Sequence, residues 1–247
     1  MPSRHGDVLP TGVRARALFA VTGCALLMHL LWFEFLAGTG GDLAAQDAWT
    51  GFAHAHPTSA YDFAWYGGMH PASYSLIAPY VMGAVGVRAT MLVVGTVSTA
   101  LVTLLLARLT TLSRPIWVGA YAAAALTGNA VSGRVTFGLG VALGLGALAV
   151  VFAWRRRQQG HVEVWARAVL TSLLAGLATA ASPVAGLFLG LVAAALWIRG
   201  RRRAAGEVHQ APEAAATRAT PPNNSESRIT LLPIGLGTSR ATKVAMA

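Results

Sequence analysis

Residues 38–74, GTGGDLAAQDAWTGFAHAHPTSAYDFAWYGGMHPASY, hold most of the groups in this chain that could do chemistry. Three carboxylates (Asp42, Asp47, Asp62) and three histidines (His54, His56, His70) are interleaved there with no Lys or Arg between them. A carboxylate so placed can deprotonate or orient a hydroxyl, so Asp42 and Asp47 are the candidate catalytic carboxylates. If the stretch begins as a helix, the i, i+5 spacing leaves the two near one another but off one line. As a pair they could share a divalent cation, Mg or Mn, through oxygen ligands. Asp47 also reads as a solvated acid on a helix surface. His54, His56 and His70 raise zinc, yet His-x-His alternates faces and zinc needs three or four ligands held close. Hydrogen bonding to a substrate or to loop backbone is the preferred reading of the histidines.

The elements that must position this stretch are apolar. The chain has 247 residues, 55% hydrophobic and 11% charged, with a mean hydropathy of +0.55. So few charges cannot cover a soluble globule of this size, and the composition is that of a polytopic membrane protein. The net charge of +10 would point to nucleic acid in a soluble protein. Here the arginines cluster between apolar runs, which is positive-inside topology and argues against a nucleic-acid partner. The single cysteine, Cys24, lies in an apolar run, so no disulfide framework or thiolate metal site can form within one chain.

Residues 1–16 are polar and basic and are expected in the cytoplasm. The run 17–36 has about 20 apolar residues, enough to cross the hydrocarbon core, and is too long for a cleaved leader. His29 and Glu34 sit in its outer half; each is either functional or, more simply, a packing histidine and a snorkelling acid. Residues 71–87 are interrupted by Pro79 and several glycines. If they cross, the Arg155–157 and Arg199–203 clusters fall outside; if they lie along the outer interface, every basic cluster falls inside, and this scheme is preferred. Further spans then cover 89–107, 115–131 and 135–154. The run 169–198, broken at Ser182-Pro183, predicts a hairpin of two short or tilted helices. Trp154, Trp165 and Trp197 flank the Arg clusters as interface anchors. Gly140 and Gly144, and Gly186 and Gly190, have the spacing that lets helix backbones approach. Residues 199–247 predict a disordered cytoplasmic tail. The fold expected is an all-α polytopic transmembrane bundle of about six spans (17–198) in the cell membrane, with its amino terminus cytoplasmic and 37–88 outside.

In order along the chain, several segments resemble the amino-terminal half of GT-C glycosyltransferases, membrane enzymes that take a sugar from a polyprenyl-phosphate carrier. A first span is followed closely by Gly41-Asp42; His70-Pro71-Ala72-Ser73-Tyr74 is similar to the family's HPPL-Y type segment; a juxtamembrane stretch ends Gly86-Val87-Arg88 and leads to a span leaving at Arg108-Leu109. The segment 132–140, SGRVTFGLG, looks like an SGR-x-x-F-x-L-G element of related bacterial membrane proteins. The resemblance covers about 17–198 and implies inverting sugar transfer on the outer face, with Asp42 as base. Many members carry paired acids where this chain has Asp42-Leu43, and the chain has about half the spans expected, so half an enzyme, inactive alone, is an expectation. Inverting transfer also needs cationic help for the departing phosphate. Arg134 suits a phosphate bidentately, or else anchors a helix end. Tyr61, Trp65, Tyr66 and Tyr74 either stack on a sugar, with Tyr74, His54, His56 and His70 as substrate contacts, or sit in the headgroup belt, the commoner reason for such rings.

The competing class is a non-catalytic accessory protein or small transporter. Transport calls for ionisable residues deep in several spans and for internal repeats, and the central spans have almost none of the former and no repeat. The charge bias makes one direct prediction. In a Cys24-free background, a cysteine at Ser59 should be labelled only from outside and one at Gln158 only from inside. Labelling of Gln158 from outside overturns the scheme.

Overall fold

The computed structural model describes residues 11–38, 41–59, 61–69, 74–109, 115–153 and 160–219. Every regular element among them is helical: α1 Thr11–Leu31, α2 Leu43–Ala55, α3 Ala78–Val85, α4 Val87–Leu109, α5 Pro115–Val131, α6 Val135–Phe152, α7 His161–Ala181 and α8 Pro183–Ala219. Helix α1 runs on into a π-helical turn, Trp32–Leu36, and a short 3₁₀ turn occupies Trp65–Gly68. Five segments are long and apolar enough to cross a membrane: Ala15–Leu36, Val87–Arg108, Val135–Phe152, His161–Ala181 and Pro183–Arg202. Helix α5 is apolar but shorter, its candidate stretch being Ile116–Val131. The chain is thus an all-α membrane bundle. Helix α3 has eight residues, about 12 Å of rise, and cannot cross.

Two expectations change. The hairpin predicted over 169–198 consists of two full-length helices, because α7 starts at His161, just after Gly160, and nothing in 161–168 breaks a helix. The segment after 199 is not irregular throughout, since α8 continues to Ala219. Its Ala, Arg, Glu and Gln have high helix propensity, and extending an existing helix avoids the cost of nucleation. The Arg155–157 cluster lies outside the described residues. By internal contacts the chain separates into Met1–Leu196 and Trp197–Ala247, and the bundle belongs to the first.

Close packing between helices relies on glycine, as expected where lipid supplies no hydrophobic force between spans. Helices α1, α4 and α5 meet where a Cβ on Gly119 would fall 2.9 Å from Val21 Cγ1 and 3.0 Å from Thr103 Oγ1. Gly140 of α6 faces the α7–α8 elbow, where a Cβ would fall 2.7 Å from Ala185 Cβ and 2.8 Å from Ser182 Cβ. Gly186 faces Thr179, whereas Gly190 has nothing within 4 Å. The main apolar cluster gathers the helix ends on one side of the bundle: Trp32, Ala37, Leu43, Met82, Val87, Met91, Val135 and Ala181 among them. Helices α2 and α3 thereby cap this end.

The elbow between α7 and α8 follows from Ser182-Pro183. Proline fits the first position of a helix, where no N–H is needed. Ser182 Oγ accepts from Ala185 N at 3.4 Å, which caps α8. The freed carbonyl of Ala180 accepts from Leu76 N at 2.8 Å, which ties the elbow to the segment ahead of α3.

His29 is fully buried in α1; its Nδ1 donates to Ala25 O at 2.7 Å, and Nε2 has no partner. The Nε2 side of the ring meets Gly95 of α4, where any Cβ would overlap it. Gly95→Ala should therefore lower stability by about 1–3 kcal/mol despite alanine's better helix propensity. Thermal unfolding in detergent measures it. Combining His29→Ala with Gly95→Ala should give a smaller loss than the sum of the two; strict additivity would show that the contact is not made.

Candidate functional site

Helix α2 carries the candidate carboxylates, and its buried face is Leu43, Gln46, Trp49 and Ala53. Asp42 stands at its N-cap position, where an Asp usually bonds to the helix's own first N–H groups. It makes no such bond; instead its Oδ2 accepts from Arg134 Nε at 3.1 Å, across 92 residues of sequence. Asp42 is therefore not free of cations, as residues 38–74 alone had implied. Asp47 is ion-paired too: Arg88 Nη2 donates to its Oδ2 at 3.2 Å and Nη1 to its Oδ1 at 3.4 Å. Arg88 Nε also donates to Ala37 O at 3.0 Å. The one guanidinium thus ties the end of α1 to α2.

At 100° per residue, positions five apart stand roughly 140° apart around the helix, and each carboxylate is engaged by its own arginine. Among the described residues no group of three or more His, Cys, Asp or Glu is placed to hold a metal.

The turn that presents Arg134 is built by backbone. Gly133 has φ +77, a conformation that suits glycine, and a Cβ there would lie 2.7 Å from Leu43 N and 3.2 Å from Leu43 Cα. Asp42 N donates to Ser132 O at 3.3 Å. Ser132 Oγ donates to Asn129 O at 2.8 Å, and Asn129 Nδ2 to Arg134 O at 3.3 Å. The 132–134 turn thus sits directly on the first turn of α2.

Beside this junction is a cavity of about 460 Å³. Asp42, Gln46 and Arg134 line its polar side with Tyr74, whose hydroxyl accepts from Gln46 Nε2 at 3.1 Å. Thr136 and Ser182 add hydroxyls, and Phe137, Pro183, Val184 and Phe188 form an apolar wall. A rim with one carboxylate and one guanidinium above an apolar wall can hold a molecule with an anionic or hydroxylic head and an apolar body.

Of the residues expected from sequence, Asp42, Tyr74 and Arg134 meet here. Asp47 does not line the cavity. His54 lines a separate pocket of about 300 Å³ with Pro57, Pro79 and Tyr80. His56, at the end of α2, packs its ring 5.0 Å from that of Phe52. The two histidines are therefore not contacts of the Asp42 cavity. His70 lies outside the described residues, as do the side chains of Trp65 and Tyr66. Tyr61 stacks on Phe63 with centroids 6.3 Å apart, and Asp62 Oδ1 accepts from Ala64 N at 2.9 Å to hold a turn. Gln46, Thr136, Ser182, Phe137 and Phe188 were not anticipated. Two had a signal in the sequence: Gln46 in its i, i+4 relation to Asp42, and Phe137 as the aromatic of the SGR-x-x-F-x-L-G element.

The ion pairs themselves are weak holds. Asp42 and Arg134 side chains are 53% and 64% exposed, and exposed pairs contribute about 0.2–1 kcal/mol. Gly133→Ala adds left-handed strain and a backbone overlap, about 2–4 kcal/mol. It should therefore lower the unfolding midpoint more than Asp42→Asn does, as followed by thermal unfolding in detergent; the reverse order would place the hold in the ion pair. Compared with protein-family models, with curated proteins and with solved structures, the chain matches none.

Proposed function

We propose that this chain is a membrane glycosyltransferase of the GT-C kind, taking a sugar from a polyprenyl-phosphate carrier and passing it to an acceptor hydroxyl on the side of the bilayer where residues 37–88 lie, the outer face. The observation that supports it is the 460 Å³ cavity in which Asp42 and Arg134 share the rim with an apolar wall. In this reading the phosphate of the carrier takes the Arg134 guanidinium, for which a phosphate is a good bidentate partner. Asp42, released from its arginine, accepts the proton of the acceptor hydroxyl as the sugar–phosphate bond breaks. The carrier's chain lies against Phe137, Val184 and Phe188, and Gln46 with Tyr74 contacts the sugar. The leaving phosphate departs on Arg134, which stabilises the charge it gains.

A second reading is favoured by one specific observation: Asp42 and Asp47 are both engaged by arginines from outside α2. In that reading the pairs are purely structural and the chain is a non-catalytic membrane component.

Transfer from a radiolabelled polyprenyl-phosphate sugar, in membranes at matched expression, separates the two. As a base, Asp42 predicts a loss of about 100-fold or more in Asp42→Asn. The swap Asp42→Arg with Arg134→Asp keeps an ion pair but moves the carboxylate, so it should stay folded and inactive. Full activity in Asp42→Asn places the base elsewhere; no transfer by the wild type in any acceptor screen leaves the structural reading.

A further inference from the structure

Helix α8 is unbroken from Pro183 to Ala219, and its membrane-length apolar part ends at Arg202. No acidic residue occurs between Glu163 and Glu207, while Arg199, Arg201, Arg202 and Arg203 all fall in that interval. Arg199, Arg201 and Arg202 are exposed. At 100° per residue they stand at roughly 0°, 200° and 300° around the axis, within about 5 Å of rise. They lie within an arc of about 160° and at one depth at the end of the span, the depth at which a headgroup layer meets it.

Trp197, one turn before Arg201, is 63% exposed, and the Arg201 guanidinium lies 5.0 Å from the centre of its ring. A cation held over an aromatic face keeps its N–H donors in the guanidinium plane, available to phosphate oxygens. The indole itself prefers the boundary between acyl chains and headgroups. Among the described residues no carboxylate is paired with these arginines.

We propose that residues 197–202 form a binding patch for anionic phospholipid headgroups, with Trp197 fixing its depth and Arg199, Arg201 and Arg202 contacting the phosphates. It does not depend on the enzymatic reading of the Asp42 cavity, which takes from α8 only Pro183, Val184 and Phe188 at its start. Clustered arginines just beyond a span attract anionic lipid near the surface.

The test uses the full chain reconstituted into bilayers containing spin-labelled phosphatidylglycerol or spin-labelled phosphatidylcholine, reading the motionally restricted fraction of each. The wild type should favour phosphatidylglycerol about fivefold, and about 1 M salt should reduce that preference. Arg199→Gln/Arg201→Gln/Arg202→Gln should lower it at least twofold with phosphatidylcholine association unchanged. Should the triple variant fail to reconstitute, Arg201→Gln alone carries the test, and a preference equal to the wild type's then overturns the proposal. No headgroup preference in the wild type, or one untouched by the triple substitution, overturns it as well.

Discussion

Backbone contact between Gly133 and Leu43 sets where the rest of the cavity's polar rim can stand. With a glycine at φ +77 the 132–134 turn rests against the first peptide of α2, and the hydrogen bond from Asp42 N to Ser132 O closes the junction. Any side chain at 133 would separate the two segments by more than the reach of a short, well-aligned hydrogen bond. The ion pair between Arg134 and Asp42 follows from this fit and does not create it, because a pair so exposed is too weak to position two helices.

The two arginines occupy electrostatically unfavourable places. Arg88 is the second residue of α4 and Arg134 immediately precedes α6, at helix ends where the unpaired N–H groups already carry positive partial charge. Each placement costs a few tenths of a kcal/mol to about 1 kcal/mol if uncompensated. Helix α2 lies across both ends and supplies one carboxylate to each, Asp47 to Arg88 and Asp42 to Arg134. Both arginines also follow a glycine with positive φ, Gly86 at 95 and Gly133 at 77. The same local device, a left-handed glycine turning the chain into a span headed by arginine, thus occurs twice at one end of the bundle.

The bundle was legible in the sequence because spans are long apolar runs whose signal is local. Arg88, Arg108, Pro115, Arg134 and Pro183 mark their limits closely. What the pattern missed at 161–168 and 201–219 are helical segments, polar and in the second case interrupted by Gly206 and Pro212, that run directly into or out of a span. The site was legible only in part. Asp42, Tyr74 and Arg134 were named individually, yet nothing in residues 38–74 shows that Asp42 has a partner 92 positions away. Hydroxyls such as Thr136 and Ser182 are too common in membrane helices to stand out before tertiary packing aims them at a cavity. His54 and His56 had the opposite fault: they are conspicuous residue types, and helix α2 turns them elsewhere.

The π-helical turn at Trp32–Leu36 bears on how this architecture tolerates change in length. An i→i+5 turn holds one residue more than the α-helix it interrupts, so removing one residue from 32–36 would let α1 continue as a regular helix. Five residues of the π turn and four of an α-helix sweep about the same angle, roughly 400°, so the chain beyond would keep its facing. Ala37, whose carbonyl receives Arg88 Nε, would still meet that arginine, and Trp32, now 1% exposed, would keep its place. A single-codon deletion here would thus leave both the span and its tie to the capping helix in phase, which makes the turn a place where the first span can change length by one residue without disturbing what it carries.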